Sequence, residues 1–137
     1  MLFELISGIW VGDVNSAFNQ QFYKDNLISI VVNCTLEKGF IDYPLNNKIR
    51  LPISYNITPE RDIKLLEQNV LKIVDFINEK LENNNIFIYC YDGCKISPLI
   101  VAVYMLKYGE ISKDDIHNIL KSKNENICID FDLSRFY

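Results

Sequence analysis

The sequence predicts an α/β fold, and two kinds of segment predict it. Short apolar runs bounded by turn residues, Ile28 to Cys34 and Ile86-Phe87-Ile88-Tyr89, have the length and composition of fully buried strands. Set among them are segments with helical spacing. Ile63, Leu66, Val70, Ile73, Val74, Ile77 and Leu81 recur at steps of three and four. Leu99 to Leu106 is apolar throughout, as a buried helix is. With 137 residues, 49% of them hydrophobic and 23% charged, the chain makes one domain over residues 1–137 around a single core. No repeat or interdomain linker interrupts it.

In chain order, Leu5 to Gly12 reads as two short strands turning at Gly8, an edge hairpin. Asp13 to Tyr23 carries Val14, Ala17, Phe18 and Phe22 at helical spacing, with Asp13 or Asn15 as the cap. After the strand at Ile28, Lys38 to Asn47 is loop, with Gly39, Pro44 and paired asparagines. Lys48 to Ile53 is a further strand that Pro52 assigns to an edge or a strand end. The long amphipathic helix opens at Thr58-Pro59, with Glu60 and Asp62 as charges favourable to its N-terminus. Asn83-Asn84-Asn85 ends it. Tyr108-Gly109-Glu110 stops the buried helix, and Ser112 to Asp115 is a capping box before a short helix with Ile116, Ile119 and Leu120.

The stretch Asn85 to Pro98 is where chemistry gathers. A buried strand runs into a loop centred on Gly93 and then into a helix whose first turn holds Pro98, where the missing N–H costs nothing. Strand, tight loop and helix N-terminus form an anion cradle of inward N–H groups and partial positive charge. Cys90, at the strand end, is expected to have a lowered pKa and to be a thiolate near neutral pH.

Composition removes several function classes. A net charge of −4 argues against nucleic acid or an anionic membrane surface as the main partner. The start of the chain lacks a secretory signal, and the longest apolar stretch is too short to span a bilayer, so the expected location is cytoplasmic. Cys34, Cys90, Cys94 and Cys128 have no zinc-like spacing and His117 is remote from them, so no metal and no cofactor is expected. Cys34 and Cys128 read as buried small hydrophobes.

The loop resembles the signature of the cysteine-dependent protein phosphatases, in particular the small dual-specificity class. That pattern is His-Cys-x-x-Gly-x-x-Arg-Ser/Thr; the chain has Tyr89-Cys90-Tyr91-Asp92-Gly93-Cys94-Lys95-Ile96-Ser97. Trp10-Val11-Gly12-Asp13 is similar to the family's entry, and Asn33-Cys34-Thr35-Leu36-Glu37 to its Asn-Val-Thr turn. Asn126 to Leu133 is loosely similar to the turn into a last helix, which the chain ends before completing. The resemblance covers essentially the whole chain. It implies a central mixed, mostly parallel sheet flanked by helices, with the loop at the C-terminal end of a central strand. Asn-, Ile- and Lys-rich composition points to an AT-rich genome, as in the large DNA viruses that carry compact members of the family.

The family's reaction needs a thiolate nucleophile, a guanidinium fork on the phosphoryl oxygens, a carboxylic acid for the leaving oxygen and a loop hydroxyl. On the resemblance, Cys90 is a vestigial nucleophile and Ser97 the hydroxyl. Ile96 stands where the arginine belongs and has no donor. The acid position falls on Tyr55 or Asn56, neither of them a carboxylic acid; Glu60, Asp62 and Asp42 are the nearest carboxylates. Lys95 either reaches a phosphate oxygen or is a solvated lysine. Cys94 could pair with Cys90 in a protective disulfide. Asp92 disfavours a dianion, and Tyr91 is either an exposed ring at the pocket mouth or packs against the loop from Tyr55.

Loss of a preorganised charged clamp costs roughly 3–4 kcal/mol of transition-state stabilisation. The expectation is therefore a pseudophosphatase that binds a protein partner, phosphorylated or not, as a monomer or weak homodimer. The alternative is a slow or atypical phosphatase using Cys90.

Overall fold

The structure is a computed structural model and describes residues 2–136. Its strands are β1 (Leu2–Ile6), β2 (Ile9–Gly12), β3 (Ile28–Asn33), β4 (Asn47–Arg50) and β5 (Asn85–Tyr89). Its α-helices are α1 (Gln20–Asp25), α2 (Lys64–Lys80), α3 (Ile96–Tyr108) and α4 (Lys113–Lys123). The sheet order is β1-β2-β5-β3-β4, with β5 in the middle. Only β1 runs antiparallel, paired with β2 as the edge hairpin turning at Gly8; β2–β5, β5–β3 and β3–β4 are parallel. This is the mixed, mostly parallel sheet that the resemblance implies.

Alternation along the strands divides two apolar layers. Ile9, Val11, Ile30, Val32, Ile86 and Ile88 belong to the layer shared with α2, α3 and α4. Val31, Phe87 and Tyr89 belong to the layer shared with Phe22 and Tyr23 of α1. The Phe22 and Phe87 rings meet edge-on at 5.0 Å, a favoured aromatic geometry. Residues buried on both faces leave β5 no freedom of register, because a one-residue slip would exchange Ile88 with Phe87 between layers.

On α2 the expected stripe is the buried one: Leu66, Val70, Ile73, Val74 and Ile77. Each such side chain contributes about 1.5–3 kcal/mol relative to remaining in water. Thr58-Pro59 opens a π-helical turn, Pro59–Ile63, ahead of it. In α3 every residue from Ile96 to Val103 is buried, since α2 and α4 cover its flanks. Ser112 caps α4 by accepting from the Asp115 amide, as the sequence pattern predicts.

Two local expectations are corrected. The segment 13–23 is not one helix: a 3-10 turn, Ser16–Phe18, precedes α1, whose cap is Asn19, accepting from the Phe22 amide. Asp13 instead takes the Ser16 amide at 2.9 Å, and Phe18 remains half exposed. Cys128 is exposed rather than buried, while its neighbours Ile127 and Ile129 point into the core. The stop at Tyr108-Gly109-Glu110 is where α3 ends, with Glu110 in the left-handed region (φ 54°). Gly109 is needed there for space: a Cβ would stand 2.7 Å from the Met105 carbonyl oxygen.

Candidate active-site pocket

The loop after β5 is set by contacts of the main chain. The Cys90 amide donates to the Gly12 carbonyl at 3.2 Å, docking the loop on the end of β2. Gly93 has φ 72°, and a Cβ there would lie 2.9 Å from the Gly12 carbonyl carbon, so both conformation and space demand glycine. The Cys94 amide is taken by Asp92 Oδ1 at 2.9 Å. The Ser97 amide donates to Cys90 Sγ at 3.4 Å, and Cys90 Sγ and Ser97 Oγ lie 3.2 Å apart. Gly93 adds a further amide donor to the same sulfur.

Burial, with 2% of the residue exposed, pushes the Cys90 thiol above the ordinary cysteine value. The Ser97 hydroxyl and amide and the Gly93 amide pull it down, and the Asp92 carboxylate, 3.7 Å from the sulfur, adds to the rise. This corrects the expected thiolate: helix polarity and amides act as anticipated, but desolvation and a neighbouring anion outweigh them, and Ile96 brings no cation. Tyr89, in the family's histidine position, faces away from the pocket, stacks on Phe87 and donates to the Gly39 carbonyl. Burial pushes its hydroxyl up to about 12.

Across the pocket, the segment between β4 and α2 is held by one side chain. Asp62 is fully buried and accepts from the Thr58 amide at 2.7 Å and the Ser54 amide at 3.3 Å, while Arg61 pairs with the same carboxylate. Burial alone would raise this carboxyl, but those donors and the Arg61 charge hold it below the usual carboxylate value. Asp62 is thus a clasp under the loop. A third loop is tied in by Tyr91, whose hydroxyl accepts from the Leu36 amide at 3.1 Å and donates to Glu37.

These loops enclose a cavity of about 310 Å³. Of the residues singled out in the sequence, Cys90, Tyr91, Asp92, Lys95, Ile96, Tyr55 and Asn56 line it. Gly93, Cys94 and Ser97 are not part of that lining. Cys94 accepts the Cys128 amide through its carbonyl, and no disulfide joins it to Cys90. Glu60, Asp42 and His117 are exposed and outside the lining. Tyr91 is half-buried and packs its ring edge-to-face against Tyr55 at 5.2 Å, the second of its two readings, while lining the pocket. Lys95 lines the pocket while lying 4.0 Å from Asp130.

Sequence reasoning missed Cys34, Ile53, Ser54 and Ile57 as walls. The signal for Cys34 was available: it is the first residue past β3, level with Cys90 past β5, because Asn33 and Tyr89 are register partners. Among the described residues no cluster of three or more His, Cys, Asp or Glu is placed to hold a metal, and no helix is long and apolar enough to cross a membrane.

A family model described as the catalytic domain of dual specificity phosphatases matches residues 9–135. Human Dual specificity protein phosphatase 16 is 24% identical over 129 residues, covering 93% of this chain and 19% of that protein. The chain therefore spans about a fifth of the length of this curated relative. Among solved structures, human DUSP28 is similar with a TM-score of 0.83 at 14% identity, covering 98% of this chain and 89% of that one. The human tyrosine phosphatase-like serine/threonine/tyrosine-interacting protein gives 0.75 at 16% identity, covering 94% and 87%. At such identities the two structures speak for the fold.

Proposed function

The chain belongs to the dual-specificity phosphatase family, and from that premise we propose that it is a catalytically inactive member, a pseudophosphatase that serves as a protein- or phosphoprotein-binding module. The observation that carries this reading is Ile96: its buried side chain forms a wall of the pocket at the position of the family's arginine. A phosphoryl group there has no bidentate clamp, which removes roughly 3–4 kcal/mol of transition-state stabilisation, or at least a hundred- to a thousandfold in rate. The raised thiol of Cys90 supports the same reading. So does the part of the opposite loop that lines the cavity, Ile53 to Ile57, which presents Tyr55 and Asn56 and no carboxylic acid. We also propose a cytoplasmic location and a chain that is monomeric or weakly dimeric; sedimentation at micromolar concentration checks the latter.

A second reading, a slow phosphatase using Cys90, is favoured by two observations: Cys90 and Ser97 lie in contact at 3.2 Å, and Lys95 lines the cavity. In it Lys95 substitutes for the fork and water or Glu60 supplies the proton. Hydrolysis of a generic aryl phosphate by wild type, Cys90→Ser and Ile96→Arg separates the two. The pseudophosphatase reading expects no Cys90-dependent turnover in wild type. Turnover that disappears in Cys90→Ser would overturn it, and activity gained only in Ile96→Arg would show a frame still suited to phosphate.

A further inference from the structure

Resting on the binding-module reading and narrowing it, we propose that the cavity receives the neutral phenol ring of an unphosphorylated tyrosine from a partner protein, and discriminates against the phosphorylated form.

The first argument is how the loop's donors are used. A phosphate dianion in such a cradle depends on inward N–H groups. Here the Cys94 amide is given to the Asp92 carboxylate at 2.9 Å. The Ser97 and Gly93 amides are given to the Cys90 sulfur. An incoming dianion would have to displace contacts the chain already makes with itself.

The second argument is charge. A phosphate ester carries about −1.5 to −2 charges. The lining offers one cation, Lys95, and that ammonium lies 4.0 Å from Asp130. Asp92 lines the cavity, and Glu37 sits at its mouth on the Tyr91 hydroxyl. Like charges at such range repel in the partly dehydrated space of a cleft. A phenol reverses the sign of the contact, because its O–H is a donor that a carboxylate such as Asp92 accepts.

Shape and wall chemistry supply the third argument. Ile53, Ile96 and the two thiols Cys34 and Cys90 make an apolar floor. At the mouth the Tyr55 and Tyr91 rings stand edge-to-face at 5.2 Å, and Tyr55 is 73% exposed, leaving an aromatic surface open to another ring. A volume of about 310 Å³ is at the small end of the roughly 300–1,000 Å³ typical of ligand pockets, suited to one side chain.

The test uses p-cresol and p-cresyl phosphate, which carry the tyrosine side chain with and without its phosphate. Each is titrated at millimolar concentration into the full chain, following the backbone amide resonances of residues 90–97 and 53–57. The expected result is saturable shifts with p-cresol and binding of p-cresyl phosphate weaker by about tenfold or more. Asp92→Asn, an exposed position, should narrow the gap from both sides, raising affinity for the phosphate ester and lowering it for p-cresol. Equal or tighter binding of p-cresyl phosphate, or no shift with either compound, overturns the proposal. Hydrolysis of p-cresyl phosphate in the same tubes would instead overturn the pseudophosphatase reading, so the two failures are distinguishable.

Discussion

The two loops that face each other across the pocket are held in opposite ways. The loop after β5 is fixed by main-chain contacts: Cys90 on Gly12, Gly93 against the Gly12 carbonyl, and the Cys128 amide on Cys94. The loop before α2 is fixed by a single charged side chain, the buried Asp62, which gathers the amides of Ser54 and Thr58. In the first loop the geometry needs a glycine and no charge, so an arginine can be exchanged for Ile96 with the frame intact. In the second, the carboxylate nearest the acid position is committed beneath the loop and cannot also deliver a proton above it. The architecture and the family's catalytic positions thus rest on different residues, so the frame stands with an isoleucine at position 96.

The largest expected effect breaks the main-chain side of this comparison. Gly93→Ala imposes a left-handed conformation on an L-residue and brings a methyl within 2.9 Å of Gly12. The change should cost about 3–4 kcal/mol, measured by urea unfolding. It should also disturb amide resonances in β2, because the obstacle is backbone that cannot step aside. A loss under about 1 kcal/mol would mean the loop is not docked on β2 as described.

Next comes the side-chain side. Asp62→Ala leaves the Ser54 and Thr58 amides without their acceptor and should cost about 2–3 kcal/mol. The pH dependence has a definite sign. The native carboxyl titrates below its unfolded value of about 3.9, so its stabilisation is fully present above that value and is lost as pH falls through the lowered native one. The stability curves of wild type and Asp62→Ala should therefore converge below about pH 4. Parallel curves down to acid would remove Asp62 from its place as the clasp.

What the sequence discloses follows the same division. Buried strands and the stripe on α2 are written as periodicity, and periodicity reports burial wherever elements are long. The strand, loop and helix around Cys90 were legible because a glycine at 93 and a proline at 98 punctuate them. The break before α1 was not, since Val14, Ala17, Phe18 and Phe22 satisfy helical spacing whether or not Asn19 starts a new helix. Cys128 went wrong because it was read from residue type alone, as a small hydrophobe, whereas it alternates with Ile127 and Ile129, outward where they point inward. The state of Cys90 was the least legible of all. Its amide donors are implied by the loop motif, but the depth of burial and the direction of the Asp92 carboxylate come only from the assembled fold.

That last point gives the smallest and sharpest test, the pH profile of Cys90 alkylation by iodoacetamide, followed by peptide mapping to separate it from Cys94 and Cys128. Burial slows the reaction at every pH, so the absolute rate says little; the midpoint of the profile reports the thiol itself. In wild type that midpoint should lie above the ordinary cysteine value of about 8.5, because desolvation and Asp92 both oppose the thiolate. Ile96→Arg sets a guanidinium near the sulfur and should lower the midpoint by about one unit or more, equivalent to about 1.4 kcal/mol in favour of the thiolate. A wild-type midpoint below neutrality would mean that the cradle alone activates Cys90 and that losing the arginine left the nucleophile intact. An unchanged midpoint in Ile96→Arg would mean that position 96 no longer addresses the sulfur, and the frame would then have diverged along with the chemistry.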